Sequence, residues 1–76
     1  MVDKKTIAKI IGDNLKAFRT EKGLSMQALA NLAEVEKSQI VRIEAGKVDV
    51  QVSSLYKIST AIGVDIKDLF NNIPYK

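Results

Sequence analysis

The chain contains no cysteine and no histidine, a single proline and no long apolar run. Without cysteine there is no disulfide framework and no thiolate to act as nucleophile or metal ligand, so stability must come from packing. Without histidine, the usual general base, the Ser-His and Cys-His pairings and the commonest zinc ligand all disappear together. An enzyme would have to work with carboxylates and lysines, and no Ser-x-x-Lys pair is expected to face a pocket. No catalytic residue, metal site or cofactor is therefore assigned. No segment approaches the roughly 18 apolar residues of a membrane span, and the N-terminal "MVDKKTIAKI" lacks the apolar region of a signal peptide. The expectation is a cytoplasmic protein with no membrane partner and no small-molecule substrate. Pro74 lies near the C-terminus, and no repeat or low-complexity segment interrupts the chain, which reads as continuous structure with a short tail at 71–76.

What is present is 76 residues with 46% apolar content, enough for one core and too few for a second, so residues 1–76 are expected to form a single domain. Twelve Lys and Arg against nine Asp and Glu give a formal charge of +3. Lys4, Lys5, Lys9, Lys16, Arg19 and Lys22, set against Asp3, Asp13 and Glu21, place that whole excess in the first third of the chain. A basic balance favours an anionic partner without naming it. Lysines scattered over a solvated surface account for the charge equally well.

Every segment between turn signals has helical period. Ile7, Ile11, Leu15 and Phe18 share one face of a first helix that runs from about Lys4 to Glu21 and stops before Gly23. Ser25 is positioned to cap a second helix, "MQALANLA". A third begins near Lys37 and ends before Gly46, a fourth covers roughly Val52 to Ile62 and stops at Gly63, and Asp65 caps a short fifth ending near Phe70. The expected fold is all-α: five short helices that must interlock, because such lengths are marginal alone.

The window from Met26 to Ala45 carries the functional reading. Two helices cross steeply over a short turn only where the crossing point bears a small side chain and the facing positions are apolar. Ala30 supplies the small residue, and Leu29, Ala33, Val35, Ile40 and Ile43 supply the inward positions. The outward positions of the second of these helices are then Lys37, Ser38, Val41 and Arg42. A helix enters the major groove with its N-terminal residues at the base edges. There, Arg and Lys take guanine acceptors, Ser bonds several bases and an apolar group touches a thymine methyl.

The run "IGDNLKAFRTEKGLSMQALANLAEVEKSQIVRIEAGK", followed by "SLYKISTAIGVDIKDLF", resembles the phage-repressor and Cro-type (XRE-like) helix-turn-helix domain over about residues 8–70. The pieces that carry the likeness are "KGLS", "RIEAGK" and "AIGVDIKDLF" at the family's spacings. The resemblance implies a lambda-repressor-like five-helix fold. It also implies base contacts from Lys37, Ser38 and Arg42, flanked by Gln39 and Val41, and phosphate contacts from Ser25, Gln27, Lys47 and the backbone around Gly46. Arg19 and Glu44 match a pair that ties the end of the first helix to the end of the recognition helix. Four positions depart from the pattern. Met26 replaces a usual phosphate-binding glutamine, Glu34 stands where glycine is common in the turn, Glu36 replaces a Ser or Thr cap, and Val50 with Gln51 replaces a Pro-Ser pair.

For Arg42, and with less margin for Lys37 and Ser38, DNA contact is preferred to a solvated surface role, although either of the latter two could touch phosphate alone. Asp65 and Asp68 are read as helix-start carboxylates and not as metal ligands. Tyr56, Ile73 and Tyr75 remain open between packing, disorder and a dimer contact. The reading is a sequence-specific transcriptional regulator that binds a two-fold-related double-stranded DNA operator as a homodimer. Its size suits Cro-like repressors and restriction-modification controllers. The alternative is an antitoxin-type or protein-interaction module with the same fold and weak or no specific DNA binding, for which Met26, Glu34 and Glu36 speak.

Overall fold

A computed structural model describes residues 2–74. Four α-helices, α1 (Lys4–Glu21), α2 (Met26–Ala33), α3 (Lys37–Glu44) and α4 (Val52–Ile62), are followed by a 3-10 helix at Ile66–Phe70, and no strand occurs among the described residues. The all-α class stands. The fifth helix is present as a 3-10 turn and not as an α-helix. Five residues lie between the Asp65 start and an extended Asn71, and such short, tight segments are where 3-10 geometry is usual. Tyr75 lies outside the described residues; Ile73 is half-buried.

Several helix boundaries have a local cause. The Asp3 carboxylate accepts from the Thr6 backbone N–H at 2.8 Å and starts α1. That hydrogen bond holds the Asp3 carboxyl below its ordinary value, so the cap is fully present above that value and is lost on acidification. Ser25 Oγ accepts from Ala28 N–H at 3.0 Å and starts α2. Gly63, with φ of 88°, ends α4 in the left-handed conformation that glycine adopts at least cost.

Leu15, Leu29, Ile40, Ile43, Ile58 and Leu69 are fully buried and bring all five elements into one core. Two polar contacts fix their arrangement. Asn14 Nδ2 on α1 donates to the carbonyls of Leu69 and Asn71 at 2.8 and 2.7 Å, anchoring the C-terminal turn. Arg19, near the C-terminal end of α1, is buried and bonded to Glu44 at the end of α3.

Two residues before Asn14 stands Gly12, where α1 meets the backbone of α3 directly. A Cβ at this position would stand 2.2 Å from the Ile43 carbonyl oxygen, so glycine is required for the helices to approach. In an unconstrained helix interior, replacing glycine by alanine stabilises by roughly 0.5–1 kcal/mol. Here the sign inverts: Gly12→Ala should destabilise by about 1–3 kcal/mol through overpacking against backbone. Denaturant unfolding measures it, and a gain in stability would show that α1 and α3 are not in backbone contact.

Candidate nucleic-acid interface

The α2–α3 unit is joined by Glu34, Val35 and Glu36. Glu34 closes α2 at φ 57° and ψ 46°, in the left-handed region, while the Val35 N–H donates back to the Ala30 carbonyl at 3.0 Å. This turn lets Ala30 sit fully buried at the crossing with Leu29 and Ile40 beside it, and Val35 packs half-buried against the same core. Glutamate has no special freedom in this conformation, and a Cβ-bearing residue there costs roughly 1–2 kcal/mol. Glu36 is extended and starts α3 without a side-chain hydrogen bond to the helix. Its charge still favours the N-terminal end of the helix dipole.

Arg19 orients this unit. Its Nε donates to Glu44 Oε2 at 2.7 Å, one terminal nitrogen donates to Glu44 Oε1 at 2.9 Å, and the other donates to the Leu24 carbonyl at 2.8 Å. The two side chains retain only 10% and 4% of their accessible surface, so the pair is buried and bidentate. The Glu44 hydrogen bonds raise the Arg19 guanidinium above its ordinary pKa against the desolvation that opposes them. Three separate segments thereby meet on one planar group: the end of α1, the loop leading into α2, and the end of α3.

The outward face of α3 carries Lys37 and Ser38 in its first turn and Val41 and Arg42 one turn later, all exposed. Gln39 differs, being half-buried beside them. The Ser25 hydroxyl oxygen accepts the cap hydrogen bond and keeps its O–H to donate, and Gln27 Nε2 donates to Asn31 Oδ1 at 3.0 Å along α2. Lys47 is exposed just beyond α3, where Gly46 at φ 79° turns the chain and the Lys47 N–H donates to the Arg42 carbonyl at 3.0 Å. The face therefore offers cationic and hydroxyl donors with one exposed methyl-bearing side chain, a set suited to base edges and phosphates.

Three features escape a reading of the sequence. Gly12 and Asn14 act through backbone groups more than 30 residues away. Asp49 forms an ion pair with Arg42, its carboxylate accepting from one terminal guanidinium nitrogen. The only sequence signal for the last is an acid a few residues beyond a helix-ending glycine. Asp68 accepts from the Asp65 N–H at 3.3 Å at the start of the 3-10 helix. No group of three potential metal ligands occurs among the described residues. Ser54 and Lys57 do have Ser-x-x-Lys spacing on α4, but Ser54 is buried while Lys57 is exposed, so the pair shares no reactive environment. No described helix is long and apolar enough to cross a membrane.

A helix-turn-helix family model, HTH_3, matches residues 15–69. The control protein C.MunI of a Mycoplasma species is 35% identical over 63 residues, covering 82% of this chain and 85% of the relative. Among solved structures, the restriction-modification controller protein C.AhdI from Aeromonas hydrophila superposes with a TM-score of 0.78 at 32% identity, over 83% of this chain and 96% of that one. An HTH_3 family transcriptional regulator from Vibrio cholerae gives a TM-score of 0.84 at 28% identity over 92% of this chain, which spans only 39% of that longer protein.

Glu44→Ala leaves the buried Arg19 guanidinium without its bidentate partner and should cost roughly 3–5 kcal/mol, far beyond the 0–1 kcal/mol of an exposed pair. An unchanged melting temperature would show the pair to be solvated. Glu34→Gly removes the left-handed penalty and should stabilise by up to about 1 kcal/mol after the added flexibility of the unfolded chain is subtracted. A measured loss of stability would mean that the Glu34 side chain holds the turn in some other way.

Proposed function

Because the chain belongs to the HTH_3 (XRE-type) helix-turn-helix family of non-enzymatic DNA-binding transcriptional regulators, we propose that it reads a specific operator with α3 in the major groove. The observation that carries this is the outward face of α3, where Lys37, Ser38, Val41 and Arg42 project together from a helix clamped at its far end by Arg19. In this reading Arg42 and Lys37 take guanine acceptors, Ser38 and Gln39 bond neighbouring base edges, and Val41 meets a thymine methyl. Ser25, Gln27 and Lys47 hold phosphates at the rim. Residues 1–76 act as a single DNA-binding domain, a reading supported by the core shared by all five elements.

Half-sites one helical turn apart require two such units on one side of the duplex, so the protein acts as a homodimer on a two-fold-related operator. Val52 and Tyr56, one turn apart on α4 and 70% and 62% exposed, give a second copy an apolar face to meet. Similarity to one named control protein and one restriction-modification controller supports a controller role among the possible regulators. A cytoplasmic location is part of this proposal. The second reading, a protein-interaction module, draws on the exposed carboxylates Glu34, Glu36 and Asp49 around the same face.

Selection of random duplex DNA on the protein separates the two: a regulator enriches a defined two-fold sequence, and an interaction module enriches none. On the enriched duplex, Arg42→Ala should cost about 1–3 kcal/mol and relax the preference at one base pair of each half-site. An identical preference profile would remove Arg42 from base reading, and a monomer in sedimentation, both free and bound, would overturn the dimer.

A further inference from the structure

The ion pair between Arg42 and Asp49 has no structural need. Both side chains keep more than half of their accessible surface, 51% and 58%, and a pair so exposed adds little to stability. It is nevertheless built by the backbone. Ala45 and Gly46 N–H groups close the end of α3 onto the Val41 and Ile43 carbonyls, and Gly46 then reverses the chain so that Lys47 N–H reaches the Arg42 carbonyl. Four residues after Gly46, Val50 packs half-buried against the core. Asp49 thus sits in a short segment fixed at both ends, and it is delivered to the one arginine on the outward face of α3. Among the described residues, only one guanidinium nitrogen is engaged by it, which leaves the rest of that donor fork open.

We propose that Asp49 is a specificity-determining positioning residue: its carboxylate holds the Arg42 guanidinium in place for a base edge and withholds it from DNA phosphates. This rests on the DNA-reading function above. A free arginine at a groove edge reaches either a phosphate or a base, and the first choice carries no sequence information. Asp49 acts against that choice twice. It fixes the planar group in one orientation, which suits the bidentate geometry that guanine requires. Its own negative charge also repels any phosphate that approaches the same nitrogen atoms. The other charges near this face do not replace it, since Lys37 and Lys47 are cations and Glu34 and Glu36 lie at the opposite end of α3.

The test uses the random-duplex selection and then fluorescence anisotropy on the top enriched duplex and a scrambled duplex of equal composition, across a series of KCl concentrations. Asp49→Asn should raise scrambled-DNA affinity roughly 2- to 5-fold, the scale of one exposed pair, and steepen the salt slope by about 0.9 as one new phosphate is engaged. Preference at the Arg42 base pair should fall at least about threefold, a part of the discrimination a bidentate contact provides. Asp49→Glu keeps the charge but moves the carboxylate, so it should leave scrambled-DNA affinity low while still losing base preference. In an Arg42→Ala background, Asp49→Asn should change base preference no further. Base preferences of Asp49→Asn identical to wild type, or an undiminished effect without Arg42, would overturn the proposal while leaving DNA reading intact. Failure of the wild-type protein to enrich any duplex would overturn both.

Discussion

The arrangement of the whole domain depends on the buried contact between the Arg19 guanidinium and the Glu44 carboxylate. Taking two charges from water is costly, and the attraction between them repays that cost only when the remaining donors are also satisfied. Arg19 meets the condition, because its third direction is taken by the Leu24 carbonyl. No buried side-chain polar atom among the described residues lacks a partner. An apolar contact of similar volume could match the pair in stability, but it would be indifferent to rotation of one helix over another. A planar fork bonded to two carboxylate oxygens and a carbonyl is not. Together with the backbone contact at Gly12, two turns earlier on α1, it sets both the distance and the angle at which α3 is presented.

That presentation matters because α2 and α3 have only eight residues each. Helices of that length are not stable alone, so the orientation of the outward face is a property of what lies behind it. The loss of Glu44 would be felt at Lys37 and Arg42 without touching either. For this reason a stability readout and a base-preference readout are needed to separate clamp residues from reading residues.

Many helix limits were legible because they are marked locally: Gly23, Gly46 and Gly63 follow helix ends, and Ser25 and Asp65 precede helix starts. Apolar period then placed Leu15, Leu29, Ile40 and Ile43 inward, and the outward positions of α3 followed by exclusion. What stayed hidden has one physical character. Gly12 reads in sequence as a weak helical residue, and only the Ile43 carbonyl beside it gives it meaning. Asn14 reads as a polar surface position until the chain returns at Leu69. Asp49 lies seven residues beyond Arg42, but α3 ends at Glu44, so a reversed chain and not a helix repeat brings them together. The 3-10 character of the last element also depends on tertiary anchoring, because Asp65 marks where a turn starts but not which hydrogen-bond ladder follows.

The charges on the outward face of α3 and the turns that flank it balance one another. Lys37, Arg42 and Lys47 are matched by Glu34, Glu36 and Asp49, three against three, so this surface adds no net attraction for a polyanion. Non-specific binding to DNA is largely an effect of cations on phosphates, and a neutral face suppresses it. Specific binding loses less, because a correctly placed donor fork on a base edge does not depend on net charge. Glu36 favours the start of α3 in the free protein, and in the proposed docking it would oppose phosphates, so its benefit precedes binding and its cost follows it. Glu34 occupies a left-handed position where glycine would be easier for the backbone. The turn therefore carries a conformational cost together with an anion, and the two carboxylates of the turn act on the N-terminal side of α3 as Asp49 acts beyond its C-terminus. With anions at both ends of α3, the proposed reading leaves sequence selection to the donors on its outward face, Lys37, Ser38 and Arg42.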